Sequence, residues 1–110
     1  MSKRLDTIFR AIADPTRREI FHVLVLAGVA LSITQISEKF EISRQGITKH
    51  IKLLENAGLV NIQSTGRERF CFAEPKSLQA IKDWAVYYDQ FWNHSLAKLA
   101  AHLEKGKSKV

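Results

Sequence analysis

The sequence has 110 residues, a formal net charge of +6 and a hydrophobic content of 45%. This length and composition allow one globular domain with a modest core and exclude an intrinsically disordered chain. The excess of basic residues favours a polyanionic partner, with nucleic acid ahead of acidic membrane surfaces.

Cysteine usage and hydropathy indicate the cellular compartment of the protein. Cys71 is the only cysteine, which excludes an intrachain disulfide and favours a reducing compartment. The longest apolar run, 20–31, is interrupted by His22 and Gly28 and is too short to span a membrane. The polar N-terminus leads directly into a helical pattern, which predicts no signal peptide. We therefore expect a cytoplasmic protein with no membrane partner.

Two helical patterns follow one another at the start of the chain. The first is an apolar stripe at helical spacing, formed by Leu5, Ile8, Phe9 and Ile12. Asp14 and Pro15 separate the two patterns, because aspartate is a favoured N-cap and proline suits a first helical position. The second helix is predicted to end near Gly28. Its predicted buried residues are Ile20, Phe21, Leu24 and Val25.

A third helix and a tight turn lead to a fourth helix. Ser32 and Gln35 have the spacing of a capping box, which opens a helix over 33–40. A three-residue turn then leads to a helix over 44–57. Ser43 can cap this fourth helix, and Gly58 can adopt the left-handed conformation that ends it.

A hairpin and one long helix complete the predicted fold. Strand-like stretches over 60–64 and 68–73, joined by a glycine-containing turn, predict a β-hairpin that forms a wing over 60–73. An aromatic-rich helix is predicted over 76–104, followed by a flexible tail over 105–110. The order predicts a mainly α winged helix-turn-helix fold as a single domain over 1–104.

The fourth helix has the pattern of a DNA-recognition helix. At about 100° per residue, Ile47, Ile51 and Leu54 share one side, and polar or basic residues occupy the other. No acidic residue lies between Ser43 and Lys52. Such a surface fits the major groove, which admits a helix, offers hydrogen-bonding base edges and is walled by phosphates. A solvated amphipathic helix is the alternative for this pattern.

The predicted DNA contacts lie on this helix and on the wing. Arg44 suits guanine and Gln45 suits adenine, so both are predicted to contact base edges, whereas Lys49 is predicted to bind phosphate. For His50, filling a half-buried niche is an equal alternative, and Glu68 argues against a wing contact. The predicted set is Ser43, Arg44, Gln45, Thr48, Lys49, His50, Lys52, Arg67 and Arg69.

The last helix carries more apolar surface than so small a domain easily covers. Packing against a second copy is the economical solution, although part of the surface serves the core of the same chain. A two-fold dimer would place two recognition helices about 34 Å apart, as a near-palindromic operator requires. The predicted interface comprises Leu5, Ile8, Ile12, Leu78, Ile81, Trp84, Tyr88, Phe91, Trp92, Leu96 and Leu99.

Three stretches of the chain resemble a known family, the ArsR group of bacterial winged-helix repressors. The resemblance covers nearly the whole chain. It implies a homodimer that forms through the first and last helices and represses transcription by occupying operator DNA. The stretches that carry it are Ala-Asp-Pro-Thr-Arg-Arg over 13–18, Ser-Arg-Gln-Gly-Ile-Thr-Lys-His-Ile over 43–51 and Leu-Glu-Asn-Ala-Gly-Leu-Val over 54–60.

Many ArsR proteins sense metals, so the resemblance raises the question of a metal site. The cysteine pair of the family would lie on the third helix, which has no cysteine here. The other family site needs an Asp-x-His spacing on the last helix, and that spacing is missing. We therefore expect no metal and no cofactor, and the chain most resembles a metal-independent subgroup. The last helix nevertheless offers Asp83, Asp89, His94, His102 and Glu104.

The sequence also bears on functions other than DNA binding. The histidines are spread over three predicted helices without a nucleophile at motif spacing, and no phosphate-cradling glycine loop occurs, so we expect no enzyme. A winged-helix module that binds protein is one alternative. An effector-gated or metal-gated ArsR sensor is another, sharing the DNA chemistry and differing in its switch. The sequence identifies neither an effector nor an operator.

Overall fold

Helices and a small antiparallel sheet build the chain in the computed structural model, which describes residues 2–108. The helices are α1 (Lys3–Ala13), α2 (Pro15–Ala27), α3 (Ile33–Lys39), α4 (Arg44–Asn56), α5 (Gln79–Tyr87) and α6 (Asp89–Ser108). The strands are β1 (Leu31–Ser32), β2 (Val60–Thr65) and β3 (Glu68–Ala73). The predicted order, helices followed by a hairpin wing, is confirmed. The chain divides into two units, one ending at Ala80 and one beginning at Ile81, whereas the sequence predicted a single domain over 1–104.

The junction of α1 and α2 is held by side chains of the 13–18 stretch. The Asp14 carboxylate accepts a hydrogen bond from the Arg17 backbone N–H at 2.9 Å and so caps α2. The Arg17 side chain turns back and donates to the carbonyls of Ala11 at 2.8 Å and Arg10 at 3.0 Å. Arg18 donates to the Ile12 carbonyl at 2.7 Å. The stretch therefore satisfies the polar groups of two helix ends at once.

Ser32 belongs to both the sheet and the start of α3. Its hydroxyl accepts from the Gln35 N–H at 3.1 Å, and the Gln35 side chain accepts from the Ser32 N–H at 2.8 Å, which confirms the predicted capping box. Ser32 also pairs with Phe70 of β3, so the sheet has three strands in the order β1-β3-β2. Strand β1 was not predicted, because two residues are too few to show a periodicity.

The wing is a tight hairpin. Thr65 pairs with Glu68, which leaves Gly66 and Arg67 as a two-residue loop. Gly66 has a φ of 62° and Arg67 does not have a positive φ, which is the pattern of a type II′ turn with glycine first. The loop therefore places the Arg67 side chain at the tip of the wing.

The core of the first unit lies between α1, α2, α3, α4 and the sheet. Side chains from each helix are withdrawn from water, and Val25, which was predicted to be buried, is instead 40% exposed on α2. Cys71 pairs with Leu31 and Ile62 on its two sides in the sheet. Burial raises the pKa of its thiol to about 11. The fully buried side chains include Ile8, Ile20, Leu24, Ile36, Ile47, Ile51, Leu54 and Leu59.

The prediction of one helix over 76–104 is wrong in its detail. A 3-10 helix (Pro75–Leu78) precedes α5, and the helix is interrupted at Tyr88 before α6 begins. The ring centroids of Tyr87 and Tyr88 lie 5.2 Å apart, a contact that consecutive residues of a regular helix do not make. The structure continues α6 to Ser108 through most of the predicted tail, and residues 109–110 lie outside the described residues. Within the described part of the chain, no helix has the length and apolar character that crossing a membrane requires.

Candidate nucleic-acid interface

Helix α4 is docked by its apolar side and presents its polar side to solvent. Ile47, Ile51 and Leu54 have no exposed surface, as their spacing predicts. The Ser43 hydroxyl accepts from the Gly46 N–H at 3.1 Å and caps the helix. Ser43 therefore acts first as a structural cap at the tip of α4. The exposed residues of the helix include Arg44, Gln45, Lys49, Lys52 and Asn56.

A hydrogen-bonded cap fixes the other end of α4. The N–H of Gly58 donates to the Glu55 carbonyl at 2.9 Å and that of Leu59 to the Leu54 carbonyl at 3.0 Å, while Gly58 has a φ of 76°. This is a Schellman motif, in which glycine adopts the left-handed conformation without strain. The Ser77 hydroxyl also donates to the Gly58 carbonyl. The orientation of α4 is thus fixed by the packing of one side and by caps at both ends.

A groove of about 650 Å³ runs between the first half of α4 and the wing. It brings together six of the nine residues that were predicted to contact DNA, whereas Ser43, His50 and Lys52 do not line it. Sequence reasoning missed the part contributed by β1 and the start of α3, because only the pairing of β1 with β3 brings those residues to the wing. The groove is lined by Ser32, Ile33, Thr34, Arg44, Gln45, Thr48, Lys49, Arg67, Glu68 and Arg69.

The charges around this groove are mostly positive. Arg44 and Lys49 extend from α4, and Arg67 and Arg69 extend from the wing, all of them exposed. Glu68 is the one carboxylate among the groove residues. A groove with this balance attracts phosphate, and its guanidinium groups can donate paired hydrogen bonds to phosphates or base edges.

Thr48 and His50 have different surroundings on α4. The Thr48 hydroxyl donates to the Arg44 carbonyl at 2.8 Å, so its methyl group and an oxygen lone pair remain for a groove ligand. His50 is half-buried, and its Nδ1 is buried without a hydrogen-bond partner among the described residues. The surroundings of His50 favour the niche interpretation over a phosphate contact through Nδ1.

Packing inside the turn between α3 and α4 requires a glycine at position 46. A Cβ atom at this position would lie 2.7 Å from Cγ2 of Ile42, far closer than carbon atoms approach without a shift. The glycine thus allows the turn between α3 and α4 to close tightly. Close approach of DNA is not needed to explain it.

The residues predicted to form a dimer interface fall into three groups. Leu5 and Ile8 are 6% and 0% exposed in the single chain, so their side chains are already covered by the same chain. Those that are half-buried are Ile12, Leu78, Ile81 and Trp84. The exposed members are Tyr88, Phe91, Trp92, Leu96 and Leu99.

The metal-binding side chains of the described residues are dispersed. Among residues 2–108, no three histidine, cysteine, aspartate or glutamate residues come together in a way that could hold a metal ion. Cys71 is buried in the sheet and lies on a different element from His94 and His102.

Comparison with known proteins gives sequence relatives among transcriptional regulators. A family model described as a helix-turn-helix domain matches residues 12–63. The HTH-type transcriptional regulator Rv2034 of Mycobacterium tuberculosis is 32% identical over 86% of this chain and 84% of its own length. The transcriptional repressor SdpR of Bacillus subtilis is 29% identical over 76% of this chain and 91% of its own length.

Solved structures show the same fold. An ArsR-like transcriptional regulator from Rhodococcus sp. RHA1 is 28% identical with a TM-score of 0.76, covering 93% of this chain and 92% of its own. The homodimeric winged helix-turn-helix DNA-binding domain Mb0332 from Mycobacterium bovis is similar in fold, with a TM-score of 0.62 at 16% identity over 79% and 80% of the two chains. This is the fold and family of DNA-binding regulators rather than of enzymes. The chain belongs to the ArsR family of winged helix-turn-helix transcriptional regulators, whose members bind DNA.

Proposed function

We propose that this regulator is a repressor that binds a near-palindromic operator as a homodimer and reads its sequence with the tip of α4. The observation that carries the proposal is the groove in which the first half of α4 and the wing arginines meet. With α4 in the major groove, Arg44 and Gln45 face base edges, and Lys49 and Lys52 face phosphates. Arg67 and Arg69 then reach the backbone or the adjoining minor groove.

The dimer is supported by the apolar surface of α6. Trp92, Leu96, Leu99 and Leu103 are all 45% exposed or more. Their spacing of four, three and four residues places them within about 60° of one another around the helix. Such a stripe is the seam along which two helices pack. A second copy that packs along this stripe would cover it, and a two-fold dimer presents two α4 helices to the two halves of a near-palindromic operator.

Family membership supports the proposal of a repressor that acts in the cytoplasm. SdpR is named a repressor and Mb0332 a homodimer, and both are similar to this chain. A repressor acts by occupying its operator, which requires the DNA chemistry of the groove and no catalytic group. We place this activity in the cytoplasm, where bacterial DNA lies, and assign the chain to the metal-independent part of the family.

The test is selection of bound fragments from a random pool of duplex DNA by the purified protein. We expect enrichment of an inverted repeat whose affinity falls steeply with salt, because phosphate contacts release counterions. Failure to prefer any duplex at low ionic strength would contradict the proposal. Salt-insensitive binding to a protein would instead favour a winged-helix interaction module.

Calorimetry separates a metal-gated sensor from the proposed regulator. The protein is titrated with zinc, and operator affinity is then measured with and without the metal. We expect no stoichiometric binding heat and no change in operator affinity. Stoichiometric binding that weakens the operator complex would show a metal switch.

A further inference from the structure

A second cleft lies beside α4, on the side of α1. Its volume is about 170 Å³, and α1, the start of α2 and the second half of α4 all contribute to it. None of its residues lines the groove between α4 and the wing. We call it the α1 cleft; it is lined by Thr7, Arg10, Ala11, Arg17, Leu53 and Asn56.

The groove between α4 and the wing is called the wing groove. The α1 cleft and the wing groove lie on different flanks of α4. Thr48 lines the wing groove and Leu53 lines the α1 cleft. Five residues of a regular helix turn through about 140°, so these two side chains leave α4 on nearly opposite sides. Lys49, Lys52 and Asn56 are exposed between them. The polar surface of α4 is therefore bordered by another element on each side.

Two guanidinium groups give the α1 cleft its charge. Arg10 is exposed on α1. Arg17 is half-buried, and its hydrogen bonds to the carbonyls of Ala11 and Arg10 hold its guanidinium in place. Asp14 turns its carboxylate to the backbone N–H groups at the start of α2. A cation already fixed by the fold loses little side-chain freedom when an anion binds.

The positive surface extends along α1 beyond the cleft. An adjoining depression of about 330 Å³ is lined by Arg4 and Thr7 of α1 and by the end of α4, where Glu55 borders it. Asp6 is the acidic residue of α1 and lies one helical turn before Arg10. The three arginines of this surface, Arg4, Arg10 and Arg17, are matched by the carboxylates of Asp6, Asp14 and Glu55. Its excess positive charge comes from the exposed Lys49 and Lys52 of α4.

We propose that the α1 cleft binds the sugar-phosphate backbone of duplex DNA on the flank of α4 that faces away from the wing. The inference rests on the proposed function, because it takes α4 to lie in the major groove. That groove has a phosphate strand as each of its two walls. The wing groove binds one wall, and Arg10 and Arg17 bind the other. The Asn56 amide adds a neutral donor beside them, whereas the Thr7 hydroxyl gives its proton to the Lys3 carbonyl at 2.9 Å.

The first test compares the salt dependence of operator binding among matched variants. Arg10→Gln removes one charge from the α1 cleft, and Arg10→Lys keeps that charge. Lys39→Gln removes one charge from the exposed end of α3, outside both grooves. We expect Arg10→Gln to lower the slope of log affinity against log salt by about 1.8, because each of the two protomers loses one phosphate contact worth about 0.9. Arg10→Lys and Lys39→Gln should keep the wild-type slope, and all variants should keep the same preferred sequence.

The second test locates the contacts on the DNA. Phosphates of the selected operator are ethylated one at a time, and the loss of binding is mapped for each protein. We expect a group of phosphates whose ethylation weakens the wild type but not Arg10→Gln. An unchanged slope together with an unchanged interference map would overturn the inference. Arg10→Met, which removes the same charge from the α1 cleft, repeats the measurement if the melting temperature shows that Arg10→Gln does not fold.

The outcomes separate this inference from the function on which it rests. If the wild type selects no duplex, the proposed function fails. If the wild type selects an operator and Arg10→Gln binds it with the same slope and map, only the role of the α1 cleft fails. A change of preferred base in Arg10→Gln would also overturn the inference, because phosphate contacts carry no sequence information.

Discussion

The Asp14 carboxylate accepts the backbone N–H of Arg17 at 2.9 Å, and the Arg17 side chain in turn closes the end of α1. The hydrogen bond holds the pKa of Asp14 below its ordinary value of 3.8, and the positive charge of Arg17 acts in the same direction. One residue pair therefore ends α1, starts α2 and fixes the angle between them.

Acid should weaken this junction. Because the folded pKa of Asp14 is lowered, its contribution to stability is complete above pH 3.8 and is lost as pH falls through the folded value. Asp14→Asn keeps a capping oxygen without the charge. We expect the melting temperature of the wild type to fall more steeply than that of Asp14→Asn as the pH is lowered from 5 to about 2.5. If the melting temperatures of the wild type and Asp14→Asn fell in parallel with pH, the lowered pKa of Asp14 would be contradicted.

Base readout and phosphate binding should separate by residue on α4. Arg44→Ala and Gln45→Ala should each lose about 1–3 kcal/mol of discrimination between the selected operator and a single-base variant. Lys49→Ala should weaken both duplexes equally and lower the salt slope by about 2, one contact of about 1 for each protomer. Competition binding at two salt concentrations measures both effects. Unchanged operator preference in Arg44→Ala and Gln45→Ala would refute their assignment to base edges.

The dimer should depend on the apolar stripe of α6. Trp92 is 64% exposed, and Trp92→Glu should cost about 2 kcal/mol or more of association, since a tryptophan at the centre of an interface contributes that much. Ala101→Glu adds the same charge about 180° away on α6 and should leave the dimer intact. Sedimentation equilibrium gives the association constants. Equal association of the two variants would place the interface elsewhere.

The Cys71 thiol should be inert in the folded protein. Burial raises its pKa to about 11, so the reactive thiolate is scarce at pH 8. A disulfide reagent should label Cys71 at the rate at which the protein unfolds, and at once in denaturant. The contribution of this pKa shift to stability is present below pH 9.0 and is lost as pH rises towards 11. The melting temperature of Cys71→Val should not show this loss of stability at alkaline pH. Rapid labelling of Cys71 in the native protein would contradict its assignment as a buried, inert thiol.

Local signals in the sequence were enough to predict much of this fold. Asp14, Ser32 and Ser43 cap helices as their residue types predict, and Gly58 ends α4 in the left-handed conformation. Each of these features depends on residues within four positions of one another. The apolar side of α4 could also be predicted, because the spacing of its apolar residues alone determines which side is buried.

Features that depend on distant residues were not predicted. The strand β1 exists because Leu31 and Ser32 pair with β3 some 40 residues later. That pairing also brings Thr34 to the wing groove, so this part of the candidate site had no local signal. The break at Tyr88 accompanies contacts among aromatic rings and involves neither proline nor glycine. Leu5 and Ile8 were assigned to a partner because a stripe does not show which surface covers it.

One hydrogen bond connects the end of α4 to the 3-10 helix that precedes α5. The Ser77 hydroxyl, on the 3-10 helix just before α5, donates to the carbonyl of Gly58, the residue that terminates α4. A Cβ atom on Gly58 would come within 3.1 Å of that hydroxyl oxygen, so the two segments have no slack between them. A bulkier residue at either position would therefore have to displace the 3-10 helix or the end of α4. The end of the candidate recognition helix is thus held, within the first unit, by a serine that does not line the groove between α4 and the wing.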